Sequence, residues 1–376
     1  MSDDIEHDGA NAGATPLGMQ QITAFWRDFS SRLDGLEQLE PHEFVERAHE
    51  MLQPYAPELA LEIEGSPKEP GARLIVTAHG NIDQFENVQA LARHAPSLEH
   101  YEVRAFRSRS PGGDFAMRMD GFELSCSDVL VAHYDAGGIV GLELSFEKII
   151  PQDMAEHARH MAFIMLDHVL GEWDFSVRVG PVEFVDAFSD SVAGAEPLSA
   201  FAPIFDAFQR EDLGRTYEYP REGSGRWMSL EVRARDAGED DPPDLLSFHD
   251  SANAVATRAD FPYFLSWSLP FGDQDELDAV RDAQDALETE LELRQRGILA
   301  FSRVEGMRSR TASFYVEDVE HATRLANELA AEYTPDLPGE LTVAYDPSWR
   351  EYLALYAAIH SRDADGGDDG DEGGRA

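Results

Sequence analysis

The stretch 73–109 limits the possible folds most, because its apolar spacing switches from strand to helix and back. Leu74, Val76 and Ala78 alternate with Arg73, Ile75 and Thr77, the period of a sheet strand. Gly80-Asn81 breaks that strand and opens a helix with Asp83 in its first turn. Ile82, Phe85, Val88, Leu91 and Ala92 then recur at helical spacing, Pro96 stops the helix, and Tyr101, Val103 and Ala105 begin a second strand. Such a unit buries its helix against its own sheet, which makes the chain a layered α and β protein.

The same patterns extend to both sides. Residues 17–54 predict two helices, with apolar stripes Ile22, Phe25, Trp26, Phe29, Leu33 and Phe44, Val45, Ala48, Met51, Leu52. Asp120-Gly121 and Ala136-Gly137-Gly138 each sit between alternating segments and predict hairpins. A helix over 151–170 leads to a strand over 175–184, and a short helix follows at 200–209. Pro220, Gly223 and Gly225 crowd together in 214–225, where the module boundary is placed. Beyond it come strands at 227–234, 261–271, 298–304, 311–317 and 340–345 and helices at 274–294 and 319–333, with a polar loop at 236–244. The expectation is an α+β chain of two modules, 17–213 and 226–360. Each is a two-layer, ferredoxin-like α/β sandwich with a mainly antiparallel sheet and helices on one side. Residues 1–16 read as a disordered leader and 361–376 as a disordered acidic tail. The units 74–106 and 312–345 echo each other, either by duplication or because all strand–helix–strand units look alike.

Charge narrows the function classes. There are 73 acids against 30 bases, a net −43, and only Lys68 and Lys148 among the bases are lysines. Such a field repels nucleic acid and anionic membranes, so neither is an expected partner. It suits a high-salt or acidic host proteome, the preferred reading, or a face that docks a basic protein. No apolar run approaches the ~20 residues of a membrane helix. The leader has neither the basic start nor the apolar core of a signal peptide, so a cytoplasmic protein is expected. Cys126, the single cysteine, permits no intrachain disulfide and reads as a small buried hydrophobe.

Chemical candidates are few, and each has a structural alternative. His79 ends a strand with Asp83 close behind, the place where open sheets put catalytic groups, although hydrogen bonding within the turn accounts for both. His157 and His160 stand one helical turn apart and could share a metal, but without a His-Glu-x-x-His pattern they read as a solvated flank. Arg104, Arg107 and Arg109, with Arg118, could grip an anion, though pairing with neighbouring acids is the preferred reading. Trp227, Trp267 and Trp349 read as core or edge packing, Trp349 as a clasp behind Asp346-Pro347 rather than a ligand platform. No phosphate loop, nucleophile elbow or two-cysteine knuckle is present, and no cofactor is expected.

Residues 226–356 resemble the bacterial family called domain of unknown function 695. The likeness is carried by Phe261-Pro262-Tyr263-Phe264, the helix at 275–294, Glu305-Gly306, the run 312–317 and Tyr345-Asp346-Pro347-Ser348-Trp349. The first module is similar to the N-terminal part of larger uncharacterised bacterial proteins of this sort, through Thr77-Ala78-His79-Gly80-Asn81, Ala95-Pro96 and residues 101–106. The resemblance implies a cytoplasmic α+β module and brings no catalytic residues. The expected function is a non-enzymatic, protein-binding or regulatory module. The alternative is a hydrolase or other small-molecule enzyme working through His79/Asp83 or His157/His160.

Overall fold

A computed structural model describes residues 14–365, except 70, 113, 191, 193, 222, 224, 234–237 and 239–241. Most of the expected leader, the tail from 366 on, and most of the polar loop at 236–244 lie outside those residues. The parts of the leader and tail that are described depart from expectation. Asn87 binds the carbonyl of Thr15 (3.2 Å) and the amide of Leu17 (2.7 Å), and the last helix runs on to Asp365.

The chain is mixed α+β, and most strand pairs are antiparallel. Helices α1 (Met19–Leu36) and α2 (Pro41–Leu52) precede strands β1 (Ala60–Glu64) and β2 (Ala72–Thr77), helix α3 (Phe85–Arg93) and strand β3 (Tyr101–Ala105). They form a sheet in the order β1-β2-β3, with β1 antiparallel and β3 parallel to β2. A parallel pair needs a crossover, which α3 supplies. Asn81 starts that crossover by accepting the Asp83 amide (3.3 Å), and a 3-10 turn over Ile82–Gln84 leads into the helix. Leu74 and Val76 join the helices in one core, but Ile75 and Thr77 on the other face are buried too. The alternation gave the strand its period, and as the central strand β2 is buried on both sides.

Next come the hairpin β4 (Ala116–Met119) and β5 (Phe122–Ser125), then β6 (Val129–Asp135), β7 (Val140–Phe146), α4 (Ala155–Leu170), β8 (Val179–Phe184), β9 (Glu196–Pro197) and α5 (Leu198–Glu211). Asp120 and Gly121 both have positive φ (50° and 83°), as a tight two-residue hairpin requires. The sheet order is β8-β7-β6-β9, with α4 crossing between the parallel strands β7 and β8. The strand expected from 175 begins only at Val179. Asp174–Arg178 forms a π-helical turn, in which Arg178 pairs with Asp174 four residues back (2.5 Å). The single sandwich expected over 17–213 is therefore two larger sheets and the β4–β5 hairpin, with two hydrophobic cores. Each larger sheet has its own crossover helix, and among the described residues no strand pairing joins the two.

The last part contains β10 (Trp227–Val232), β11 (Asp244–His249), β12 (Tyr263–Pro270), α6 (Gln274–Leu293), β13 (Gly297–Glu305), β14 (Ser309–Val316), α7 (Val319–Tyr333), β15 (Glu340–Tyr345) and α8 (Arg350–Asp365). Its six strands run in the order β10-β11-β13-β14-β12-β15, all antiparallel to their neighbours. Here β14 and β15 are separated by β12, whereas β2 and β3 are direct neighbours, so the two echoing units are not the same construction. Leu265, Trp267 and Leu269 pack with Val280, Leu287 and Ala326 of α6 and α7 on one face. Phe248, Ile298 and Tyr315 pack with Trp349 and Tyr352 on the other. Helices on both faces replace the one-sided layer that was expected. Strand β11 was not foreseen, because its short apolar run Leu245, Leu246, Phe248 sits behind an acidic, proline-containing stretch.

The turn after β15 fixes α8. The Asp346 amide donates to Pro262 (2.8 Å), and its carboxylate accepts from the Tyr315 hydroxyl (2.7 Å). Trp349 is fully buried, lies parallel to the Tyr315 ring at 3.9 Å and donates from Nε1 to the Phe261 carbonyl (3.0 Å). It is a clasp between β12, β14 and α8, and no face of it is open to a ligand. Replacing Trp349 with Ala should lower stability by ~3–5 kcal/mol in a urea melt of the full chain. An unchanged midpoint would refute the clasp.

Candidate functional site

The structure does not assemble the catalytic pair. His79 takes a positive φ (51°), and its Nδ1 lies 3.3 Å from Nη2 of Arg107 and 3.7 Å from Glu62. Asp83 instead lines a separate recess with Asp346 and Ser348, beside the turn into α8. The positive-φ residues His79 and Gly80 turn the backbone between them. The histidines of α4 part in the same way. His157 reaches Asp120 on the β4–β5 turn (3.1 Å), while His160 faces solvent. Among the described residues no three His, Cys, Asp or Glu side chains converge as a metal would need. Cys126 is buried, and burial pushes its thiol pKa up.

The arginines are committed to neighbouring acids. Arg104 pairs with Glu102 (2.9 Å) and Arg118 with Glu123 (3.0 Å). Arg109 holds Asp174 (2.5 Å) and Asp206 (2.7 Å), and Arg107 holds Glu62 (2.6 Å) and Asp167. The cluster expected as a candidate anion grip is paired internally.

The strand end that could have carried chemistry is filled by Glu172, which has no solvent exposure. The Thr77 hydroxyl lies 2.7 Å from both of its oxygens. The amides of Ala78 (3.1 Å), Gly80 (3.0 Å) and Arg107 (3.0 Å) also donate to it. A concave set of backbone amides is an anion site, and here the chain supplies its own carboxylate. Around it, burial pushes Asp167 up to about 6, with Glu172 and Glu62 reinforcing and Arg107 opposing. For Glu62, burial acts upward but the Arg107 hydrogen bond and charge prevail, holding it below its usual range.

A second place is open. Trp227 on β10 and His249 on β11 are directly opposed, with rings parallel at 4.3 Å and 14°. His249 is 3% exposed, yet Trp227 is 42% exposed. Nδ1 of His249 lies 2.8 Å from the Leu299 carbonyl, which can only accept, so Nδ1 carries the proton. Nε2 is then a bare acceptor, buried and without a partner among the described residues. Burial also lowers the pKa of His249, favouring the neutral ring. Both rings line a cavity of about 500 Å³, closed on its other side by Glu288, Thr289 and Glu292 of α6. Glu288 is pushed up to about 7 by burial and by Glu292 and Asp285. Sequence reasoning missed His249 because it missed β11, and took Trp227 for packing. The run Leu245, Leu246, Phe248 was the available signal.

Two expectations follow for the buried carboxylates. All partners of Glu172 are donors, so Glu172→Gln turns an amide N–H toward another N–H and should cost ~2–4 kcal/mol in a urea melt. Asp167 has a folded pKa of about 6 against an ordinary 3.8, so the folded state holds its proton more tightly. That contribution is complete below pH ~4 and is lost as pH rises through ~6. Asp167→Asn should therefore gain ~2–3 kcal/mol relative to the parent between pH 4 and pH 7. Parallel stability curves for the two proteins would contradict this.

Compared with family models, curated proteins and solved structures, the chain matches none of them, and the likeness to domain of unknown function 695 rests on the residues quoted for it.

Proposed function

We propose that this chain is a non-enzymatic binding protein that engages a basic protein partner through an acidic face centred on α6. The observation that carries this reading is the composition of that helix. It has eight carboxylates (Asp275, Glu276, Asp278, Asp282, Asp285, Glu288, Glu290, Glu292) against one arginine, Arg281. Arg281 is itself paired with Asp278 (3.2 Å). The apolar side of α6 is sealed into the core by Leu277, Val280, Leu287 and Leu291, so the acidic side faces outward. Like charges this close repel one another, and a polycation relieves that repulsion. What favours binding over a hydrolase at His79/Asp83 or His157/His160 is that His79 and His157 lie beside other charged groups and neither pair is brought together. Cytoplasmic residence and membership of the family named above belong to the same proposal.

The test is capture from native lysate by two variants of equal charge. One neutralises Asp275, Asp282, Asp285 and Glu290 on α6, and the other neutralises Glu43, Glu46, Glu50 and Glu58 around α2. A stoichiometric basic partner should be held at low salt and released at high salt. The α6 variant should lose it and the α2 variant keep it. Equal behaviour of the two would mean that the acidity only solvates the protein.

A further inference from the structure

The cavity between β10–β11 and the end of α6 shows an imbalance of hydrogen-bonding groups. His249 offers the unpartnered Nε2 acceptor, and its neutral ring leaves that lone pair available. Glu288 lines the same cavity from α6, with no hydrogen bond or ion pair among the described residues. Arg310, whose charge it feels, pairs with Asp285 (3.8 Å) and bonds Gln284. Arg221 and Glu292 also line the cavity, but both already have partners, so the unmet capacity lies with His249 and Glu288. Gly225 keeps the approach clear, since a Cβ at that position would stand 3.1 Å from Nε2 of His249.

These features all call for donors and positive charge. We propose that the cavity receives the guanidinium of an arginine side chain presented by the basic partner, donating N–H groups to Nε2 of His249 and to Glu288, with Trp227 walling the mouth. A guanidinium has five N–H donors in a planar fork and can satisfy two separate acceptors at once, which a lysine ammonium does less well. The aliphatic stem of arginine gives the exposed indole an apolar surface to cover. The cavity opens beside the acidic side of α6, so a basic segment lying along the helix can place one side chain inside. This assignment rests on the binding reading above and specifies its anchor.

The experiment uses the full chain and the probe peptide acetyl-Gly-Gly-Arg-Gly-Gly-amide, with lysine and citrulline versions as controls. Citrulline keeps the planar shape of arginine and removes its charge. Trp26, Trp173, Trp267 and Trp349 are no more than 8% exposed, so collisional quenching of tryptophan fluorescence reports mainly on Trp227. The arginine peptide should protect the fluorescence saturably, the lysine peptide more weakly and the citrulline peptide not at all. Glu288→Gln should weaken the arginine peptide tenfold or more. Gly225→Ala, which places a methyl beside Nε2 without removing a polar group, should weaken it as well. Circular dichroism confirms that each variant is folded. Equal protection by citrulline, or unchanged binding in both variants, overturns the assignment. If the peptide fails while lysate capture still depends on α6, the arginine site is wrong and the binding reading survives. If the peptide binds but no basic partner is captured, the reverse holds.

Discussion

Glu172 and Trp173 hold the three parts of this chain to one another. A carboxylate with no exposure must find its hydrogen bonds within the protein. Glu172 follows α4, yet it takes donors from the end of β2, from the turn into α3 and from Arg107 beyond β3. That explains the backbone of the turn. Positive φ at His79 and Gly80 is costly for the histidine, and the carboxylate holds the conformation by accepting the amides it converges. The next residue carries the connection further. Trp173 packs on Phe106 (5.0 Å) and Phe85 (5.8 Å) in the first core, while Nε1 donates to Thr257 (3.2 Å) in the last part of the chain.

The same segment shows how an acidic protein uses its few cations. A buried ion pair has to offset the desolvation of both partners, and a guanidinium does so best when it bonds more than one acceptor. Arg107 bridges Glu62 and Asp167, and Arg109 bridges Asp174 and Asp206 while donating to the Leu170 carbonyl (2.9 Å). Arg178 pairs with Asp174 and lies over the Tyr217 ring at 4.0 Å. With these arginines turned inward, the surplus carboxylates are left to the surface, where water and salt screen them. The large net charge is therefore mostly a surface property, while the seam between the first two cores sets three arginines among Glu62, Asp167, Glu172, Asp174 and Asp206.

Local periodicity made most elements legible. Helix α7 and strand β15 lie where their patterns predicted, and the clasp role of Trp349 followed from a proline that cannot continue a strand. Failures came where distant parts of the chain decide the outcome. Nothing near Ile75 signals that its face is buried as well. The turn at Asp174–Arg178 depends on arginines from elsewhere, and the split of 17–213 into two cores depends on which strands pair. Nothing in the sequence marked Glu172, because its donors are about 65 to 95 residues away. The cavity was hidden for a related reason. Its histidine ends a strand whose apolar run follows an acidic, proline-containing stretch, and its glutamate is one of many on α6.

Helix α6 shows why an acidic face and a stable fold coexist here. Its inner side is fixed by Leu277, Val280, Ala283, Leu287 and Leu291 and by Gln284, which donates to the Trp267 carbonyl (2.9 Å). Those positions leave the outward side unconstrained by packing, so its carboxylates do not trade against the core. At its C-terminal end the helix meets β10 and β11, the two strands added at the β13 edge of the sheet. Among the described residues strand β10 pairs with β11 alone, so it is an edge of the sheet. The cavity thus lies where an edge strand meets the most acidic helix, with the half-exposed Trp227 on one side and Glu288 on the other.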